Sequence, residues 1–388
     1  MLVKVPESRA ASRRPYTRRH FMRRALIGAG GMACAPGVLA NSALQQFIEG
    51  MPKAELHVHL EGTVEPAVAM KIAARNGLST PYKSVEEFEA ALNFDSLASF
   101  LKAFHDTIAV LKTERDFYEI TYSYLKKCHS QNIVYADLKF DPQAHQRRGI
   151  EFDVFLRGIH QAQLDAEQSF GVSSQLIMCF QRDAPLETAE AAFSKALGFQ
   201  DQIVGIGLDN TEVLNFPAKF SDIFTRARKE GFKLTSHCDL GQPNTLEHIR
   251  ACIEDLQVDR LDHGYNILAD ERLVQLALDK SLCFTACPTS AFNTTDHSQR
   301  FYFREVSLSI KKMLDIGLRV TVNTDDPGVM GNRYLNEVFV DMANHLALDR
   351  QQVATLSRNA FDSLWMPQEQ KQQYLSSLSR YMSTHGSL

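Results

Sequence analysis

His57 and His59 stand two residues apart in Leu56-His57-Val58-His59-Leu60. On an extended strand that spacing turns both imidazoles to one face. A lone strand histidine is ordinarily a core or surface residue. Two of them, joined at one rim by a third histidine and an aspartate, are the donors of a metal centre. The chain offers His237 in Thr235-Ser236-His237-Cys238, His263 closing Arg260-Leu261-Asp262-His263, and the pair Asp325-Asp326. Three imidazole nitrogens and one carboxylate leave a position open for water, the arrangement of a catalytic zinc site. A divalent ion held there lowers the pKa of its water towards ~7, so hydrolysis is the expected reaction class. His297 and His345 are isolated, and an ordinary core or surface role is expected of each.

These side chains need elements that bring them to one rim. Strand-length apolar runs recur at residues 55–60, 134–140, 175–180, 203–208, 233–237, 260–263, 282–287 and 318–323, separated by helix-patterned sequence. Leu246, Ile249, Ile253 and Leu256 fall at helical spacing, as do Leu308, Met313 and Leu314. Eight strands alternating with helices predict an α/β fold, a (β/α)8 TIM barrel with chemistry at the C-terminal strand ends. The gap over residues 61–133 is too long for one helix, so additional helices are expected after the first strand. More are expected at the C-terminus from Gln351 onward. The fourth strand ends in Gly207-Leu208-Asp209-Asn210 with no lysine to bridge two metals, so a single ion is expected.

The 388 residues carry a net charge of −4 and 44% hydrophobic residues, which excludes bulk disorder. The charge is uneven: residues 1–42 hold a net +7, which leaves −11 on the remainder. An acidic globule does not bind nucleic acid through overall charge. The basic part reads Thr17-Arg18-Arg19-His20-Phe21-Met22-Arg23, followed by a short apolar stretch and small residues at Val38-Leu39-Ala40. That pattern is expected to be a twin-arginine-type signal over residues 1–40, with cleavage after Ala40 and the barrel over 41–388. It implies contact with the twin-arginine export machinery, a periplasmic or secreted location, and a metal acquired before export. The stretch is too short and too rich in glycine to span a bilayer, and the surroundings of Cys34 do not suit lipidation. The six cysteines after Ala40 form no CxxC pair, so buried free thiols are expected.

Three segments resemble the adenosine and adenine deaminases of the amidohydrolase superfamily. They are Pro52-Lys53-Ala54-Glu55-Leu56-His57-Val58-His59-Leu60-Glu61-Gly62, Asp259-Arg260-Leu261-Asp262-His263-Gly264 and Val320-Thr321-Val322-Asn323-Thr324-Asp325-Asp326-Pro327. Gly205-Ile206-Gly207-Leu208-Asp209-Asn210-Thr211-Glu212 is similar to the adenine deaminase branch, and Glu61 and Phe140-Asp141-Pro142-Gln143 lean the same way. The resemblance implies one zinc held by His57, His59, His237 and Asp325, with His263 orienting the attacking hydroxide. It further implies that Asp326 accepts a hydrogen bond from the purine ring, at N7, and that Asn210 and Glu61 lie at the substrate.

One motif departs from the family pattern. Where members usually have His-Ala-Gly-Glu, with the glutamate moving protons at purine N1, this chain has His237-Cys238-Asp239-Leu240-Gly241-Gln242-Pro243-Asn244. Leu240 has no proton to give. Asp239 is the candidate to take over as acid/base, because a positioned carboxyl is worth roughly 10²–10⁴ in rate; the bland alternative is a loop cap on backbone amides. Cys238 faces the opposite side of its strand from His237, and packing is expected of it. Cys287-Pro288-Thr289-Ser290 also matches a family segment, whereas Ala291-Phe292-Asn293 diverges. The expected activity is hydrolysis of a 6-aminopurine, adenine to hypoxanthine and ammonia, or an N6-substituted adenine with release of an amine. Adenosine is the alternative substrate, and a non-catalytic periplasmic purine-binding protein is the alternative of another class.

Overall fold

The computed structural model describes residues 36–93, 97–239, 242–288 and 297–386. The Arg18-Arg19 leader, Cys34, Leu240 and the segment 289–293 lie outside them, as does the side chain of His297. Eight strands follow in sequence order: β1 Lys53–His59, β2 Ile133–Phe140, β3 Ser173–Gln181, β4 Ile203–Asp209, β5 Lys233–Cys238, β6 Arg260–His263, β7 Cys283–Ala286 and β8 Arg319–Val322. Each is hydrogen-bonded in parallel to the next, and a bridge from Val58 to Asp325 returns the last strand to the first. The closed (β/α)8 barrel is therefore as expected, with strand limits shifted by one or two residues.

The insertion after β1 carries helices Pro66–Arg75, Val85–Ala91, Leu97–Ile108 and Glu114–Ser130. Thr113 and Asp116 form a capping box at the last of these, and Asp349 with Gln352 does the same at helix Arg350–Asp362. That helix and Gln368–His385 close the C-terminal part, with Ser357 bonded to the Pro52 carbonyl and Asn359 to that of Val320. Helix Pro36–Gly50 runs across Ala40 and docks near its end through Tyr381, whose hydroxyl donates to the Phe47 carbonyl at 2.9 Å. The expected helix around Leu308 and Met313 extends back to His297. No helix among the described residues is long and apolar enough to cross a membrane.

Inside the barrel, charge replaces part of the usual branched aliphatic packing. β2 and β6 lie opposite one another, and each points two residues inward at the strand period of two. Asp137 meets Arg260 at 2.6 Å, and Lys139 pairs with Asp262. All four are buried. Arg260 also bonds the Ser363 carbonyl and lies 3.8 Å over the Trp365 ring. The pair is fully desolvated, so losing one member strands the other. Arg260→Met is expected to lower unfolding stability by about 3–5 kcal/mol in a denaturant titration. A loss below about 1 kcal/mol would show that Tyr135, bonded to Asp137 at 2.7 Å, satisfies that carboxylate alone.

Candidate active site

The C-terminal strand ends bring the predicted donors together. Buried β1 presents His57 and His59 to one side, with ring centroids 5.4 Å apart. His237, the fifth residue of β5, enters from across the rim. Asp325 arrives from beyond β8, its backbone held by amide bonds to β1. The donor atoms of His57, His59, His237 and Asp325 all lie within 4.8 Å of one another. Asp325 Oδ1 is 3.1 Å from His57 Nε2 and 3.4 Å from His59 Nε2, and the Nε2 atoms of His59 and His237 are 3.2 Å apart.

Surrounding hydrogen bonds turn these atoms into ligands. Thr285 donates its hydroxyl proton to Asp262 at 2.6 Å and accepts from His57 Nδ1 at 2.9 Å. The His57 proton therefore sits on Nδ1, and its Nε2, buried and without a hydrogen bond, carries a lone pair into the cluster. His237 Nδ1 faces the Leu208 carbonyl at 2.9 Å and Asp262 at 3.2 Å, both acceptors, with the same consequence. His59 Nδ1 lies 3.7 Å from Asp209. Burial lowers the pKa of all three imidazoles, that of His59 to about 3, so they stand neutral. Burial opposes the charge on Asp325 and Asp262. Lys139 nevertheless holds Asp262 low. Three neutral imidazoles and a carboxylate, their donor atoms within 4.8 Å of one another, fit one divalent metal ion.

His263 closes β6 and faces the same space, with Nε2 3.7 Å from Asp239 Oδ1 and 3.9 Å from Asp325 Oδ2. His263, Asp325 and Asn210 all have positive φ, at 60°, 65° and 63°. Non-glycine residues are strained there, and the cost is borne where side chains must be aimed. Asp326 is buried with Oδ1 unpartnered among the described residues. Burial first, and then the neighbouring Asp325 carboxylate, raise its pKa well above the usual carboxylate range. Gly62 is required beside it, because a Cβ there would overlap the Asp326 carboxyl.

Asp239 lines the same cavity and is aimed by a residue that the strand-end reading missed. Arg182, just past β3 and fully buried, spreads its guanidinium across the ends of β4 and β5. Nε bonds the Asp209 carbonyl at 3.0 Å, Nη1 the His237 carbonyl at 2.8 Å, and Nη2 both the Asn210 carbonyl and Asp239 Oδ2, the latter at 2.8 Å. Oδ1 of Asp239 is left towards His263. The Asp239 amide is capped by Glu212 at 2.8 Å. Cys238 points outward to Cys252, sulfur to sulfur 3.8 Å, and all six cysteines of the described chain are free and buried.

The cavity over the donors measures about 100 Å³ and opens to solvent. Phe100, Leu101 and Phe104 of helix Leu97–Ile108 give it an apolar wall, and Asp141, Gln181, Asp209 and Asn210 a polar one. Asn210 donates to Asp183 at 2.9 Å. Glu61 is not among the lining residues: the turn after β1 carries it to the Asp141 amide at 3.0 Å and His145 at 2.7 Å. Asp141, Gln181, Arg182 and Asp209 sit at or just past the ends of β2, β3 and β4, strand ends that attract no notice without a histidine.

A family model described as adenosine deaminase matches residues 52–381. An uncharacterized deaminase of Schizosaccharomyces pombe is 42% identical over 342 residues, which cover 88% of this chain and 99% of that protein. The crystal structure of an adenine deaminase from Arthrobacter aurescens superposes with a TM-score of 0.79 at 32% identity, covering 86% of this chain and 100% of that one. An amidohydrolase from Burkholderia ambifaria with bound Zn also gives a TM-score of 0.79, at 25% identity over 89% of this chain and 95% of the other.

Proposed function

Because this chain belongs to the adenosine deaminase family and is a hydrolytic deaminase on a (β/α)8 barrel, we propose that its substrate is a 6-aminopurine, adenine before others, converted with water to hypoxanthine and ammonia. The observation that carries this reading is the convergence of His57, His59, His237 and Asp325 beneath a cavity flanked by His263, Asp239 and Asp326. The full coverage of an adenine deaminase and the Gly205 to Glu212 motif support adenine over adenosine.

Zinc, present in one relative and suited to this donor set, would supply a water activated near neutral pH. The protein's own groups do the rest. His263 orients the attacking water and receives its proton while C6 becomes tetrahedral. Asp239 Oδ1 delivers a proton at N1, which makes C6 electrophilic; the proton that His263 took from the water passes to the departing amine, and as the C6–N6 bond breaks the C6 hydroxyl proton returns to Asp239. Asp326, protonated, donates to N7 and fixes the ring plane. Asn210 borders the base edge from β4. The apolar wall of Phe100, Leu101 and Phe104 also suits an N6-alkyl substituent, whose hydrolysis releases an amine instead of ammonia. We further propose export through a twin-arginine-type leader to the periplasm, supported by the Arg18-Arg19 pattern.

The test follows purine absorbance in zinc-loaded protein with adenine, N6-methyladenine and adenosine. Adenine is expected to have the highest kcat/KM. No conversion of any of the three by fully metal-loaded protein would overturn the assignment in favour of a purine-binding protein.

A further inference from the structure

The polar wall has an excess of hydrogen-bond acceptors that the reaction does not use. Gln181 closes β3 and is fully buried, yet it lines the cavity. Its amide nitrogen donates to Asp141 Oδ2 at 3.3 Å, which leaves its Oε1 without a partner among the described residues. Asp141 is 4% exposed just past β2; among the described residues no donor reaches its Oδ1 or either oxygen of neighbouring Asp209 other than the bond these two carboxyls make with each other. One shared proton still leaves acceptors over, and buried acceptors are costly until a donor reaches them. The wall is therefore complementary to a ligand edge that carries N–H.

Strand order says which edge that is. Around the closed barrel the sequence runs β8, β1, β2, β3, β4, β5. Asp326 follows β8 and takes N7; Asp239 follows β5 and takes N1. A purine held between them, with C6 over the metal donors, turns its N9 and N3 edge to the sector of β2 to β4. Gln181 and Asp141 stand in that sector. A free base presents N9–H there, whereas a nucleoside presents a glycosidic carbon and a sugar.

We infer that Gln181 and Asp141 form a subsite that reads N9–H and thereby selects free purine bases against N9-substituted ones. The inference rests on the 6-aminopurine reading, but its test is separable from turnover. Hypoxanthine and 9-methylhypoxanthine are titrated calorimetrically into zinc-loaded enzyme. Wild type is expected to bind hypoxanthine at least about 10-fold more tightly, the cost of one unpaired buried polar group. Gln181→Met, close in shape but without the acceptor, is expected to bring that ratio within about 3-fold by weakening hypoxanthine alone. Asp141→Asn gives a second reading should the first variant fold poorly, with the ratio again reduced. Equal binding of the two ligands by wild type, or an unchanged ratio in a folded variant, overturns the subsite. Equal kcat/KM for adenine and 9-methyladenine would remove the subsite and leave deamination standing. Discrimination without turnover would do the reverse.

Discussion

Asp239→Asn is expected to lower kcat for adenine by at least roughly two orders of magnitude while KM stays within a few-fold. The substitution is a narrow probe. Arg182 Nη2 already bonds Oδ2 at 2.8 Å, and an asparagine carbonyl keeps that bond without its charge while Glu212 still faces the guanidinium. The amide of residue 239 stays capped by Glu212. What changes is the atom facing His263, which loses its capacity to carry a proton. Metal content and unfolding temperature should therefore match wild type, and the defect should sit in kcat. A near-normal rate would return Asp239 to the role of a loop cap and move the N1 proton to another group. Such a group is needed because Leu240 stands where the family has its glutamate.

Stripping the metal with a chelator is expected to reduce turnover by roughly three orders of magnitude or more, since activation of water at neutral pH goes with the ion. One equivalent of zinc per chain should restore it. The stoichiometry follows from the single set of three imidazoles and a carboxylate, in which the surrounding bonds aim the lone pairs of His57 and His237 inward. The same experiment on Thr285→Val should show metal affinity weakened about 10- to 100-fold, because the link from Asp262 to His57 Nδ1 is cut. Restoration that needs two equivalents would instead assign an ion to one of the other two groups of possible ligands among the described residues, His263, Cys287 and Asp325 or His59, Asp141 and Asp209. Full activity in metal-free protein would defeat the metal-assisted reading of the site and leave the attacking water to the side chains alone.

Much of this was legible before any fold was in hand, and for local reasons. Strand runs, the two-residue period that places His57 and His59 on one face, and the rule that barrel chemistry gathers at C-terminal strand ends depend only on neighbouring residues. They sufficed for the eight strands, the insertion of helices after β1, and the convergence of His57, His59, His237, His263 and the Asp325-Asp326 pair. The outward direction of Cys238 followed from the same period.

Pairing across the barrel is a different matter. Arg260 with Asp137 and Lys139 with Asp262 join residues 123 positions apart, and only the stagger of β2 against β6 decides that they meet. The same holds for Arg182, which from the end of β3 binds carbonyls on β4 and β5 and selects the Asp239 oxygen that faces His263. Glu61 shows the converse. Its position in the motif suggests the substrate, yet the turn after β1 commits its Oε1 to the Asp141 amide and His145 and leaves only Oε2 unpartnered among the described residues. Residue identity and spacing determine which donors exist and which strand end carries them. Register and closure determine which donors are already satisfied, and the acceptors left unpaired at Gln181 and Asp141 are visible only once every neighbour has been placed.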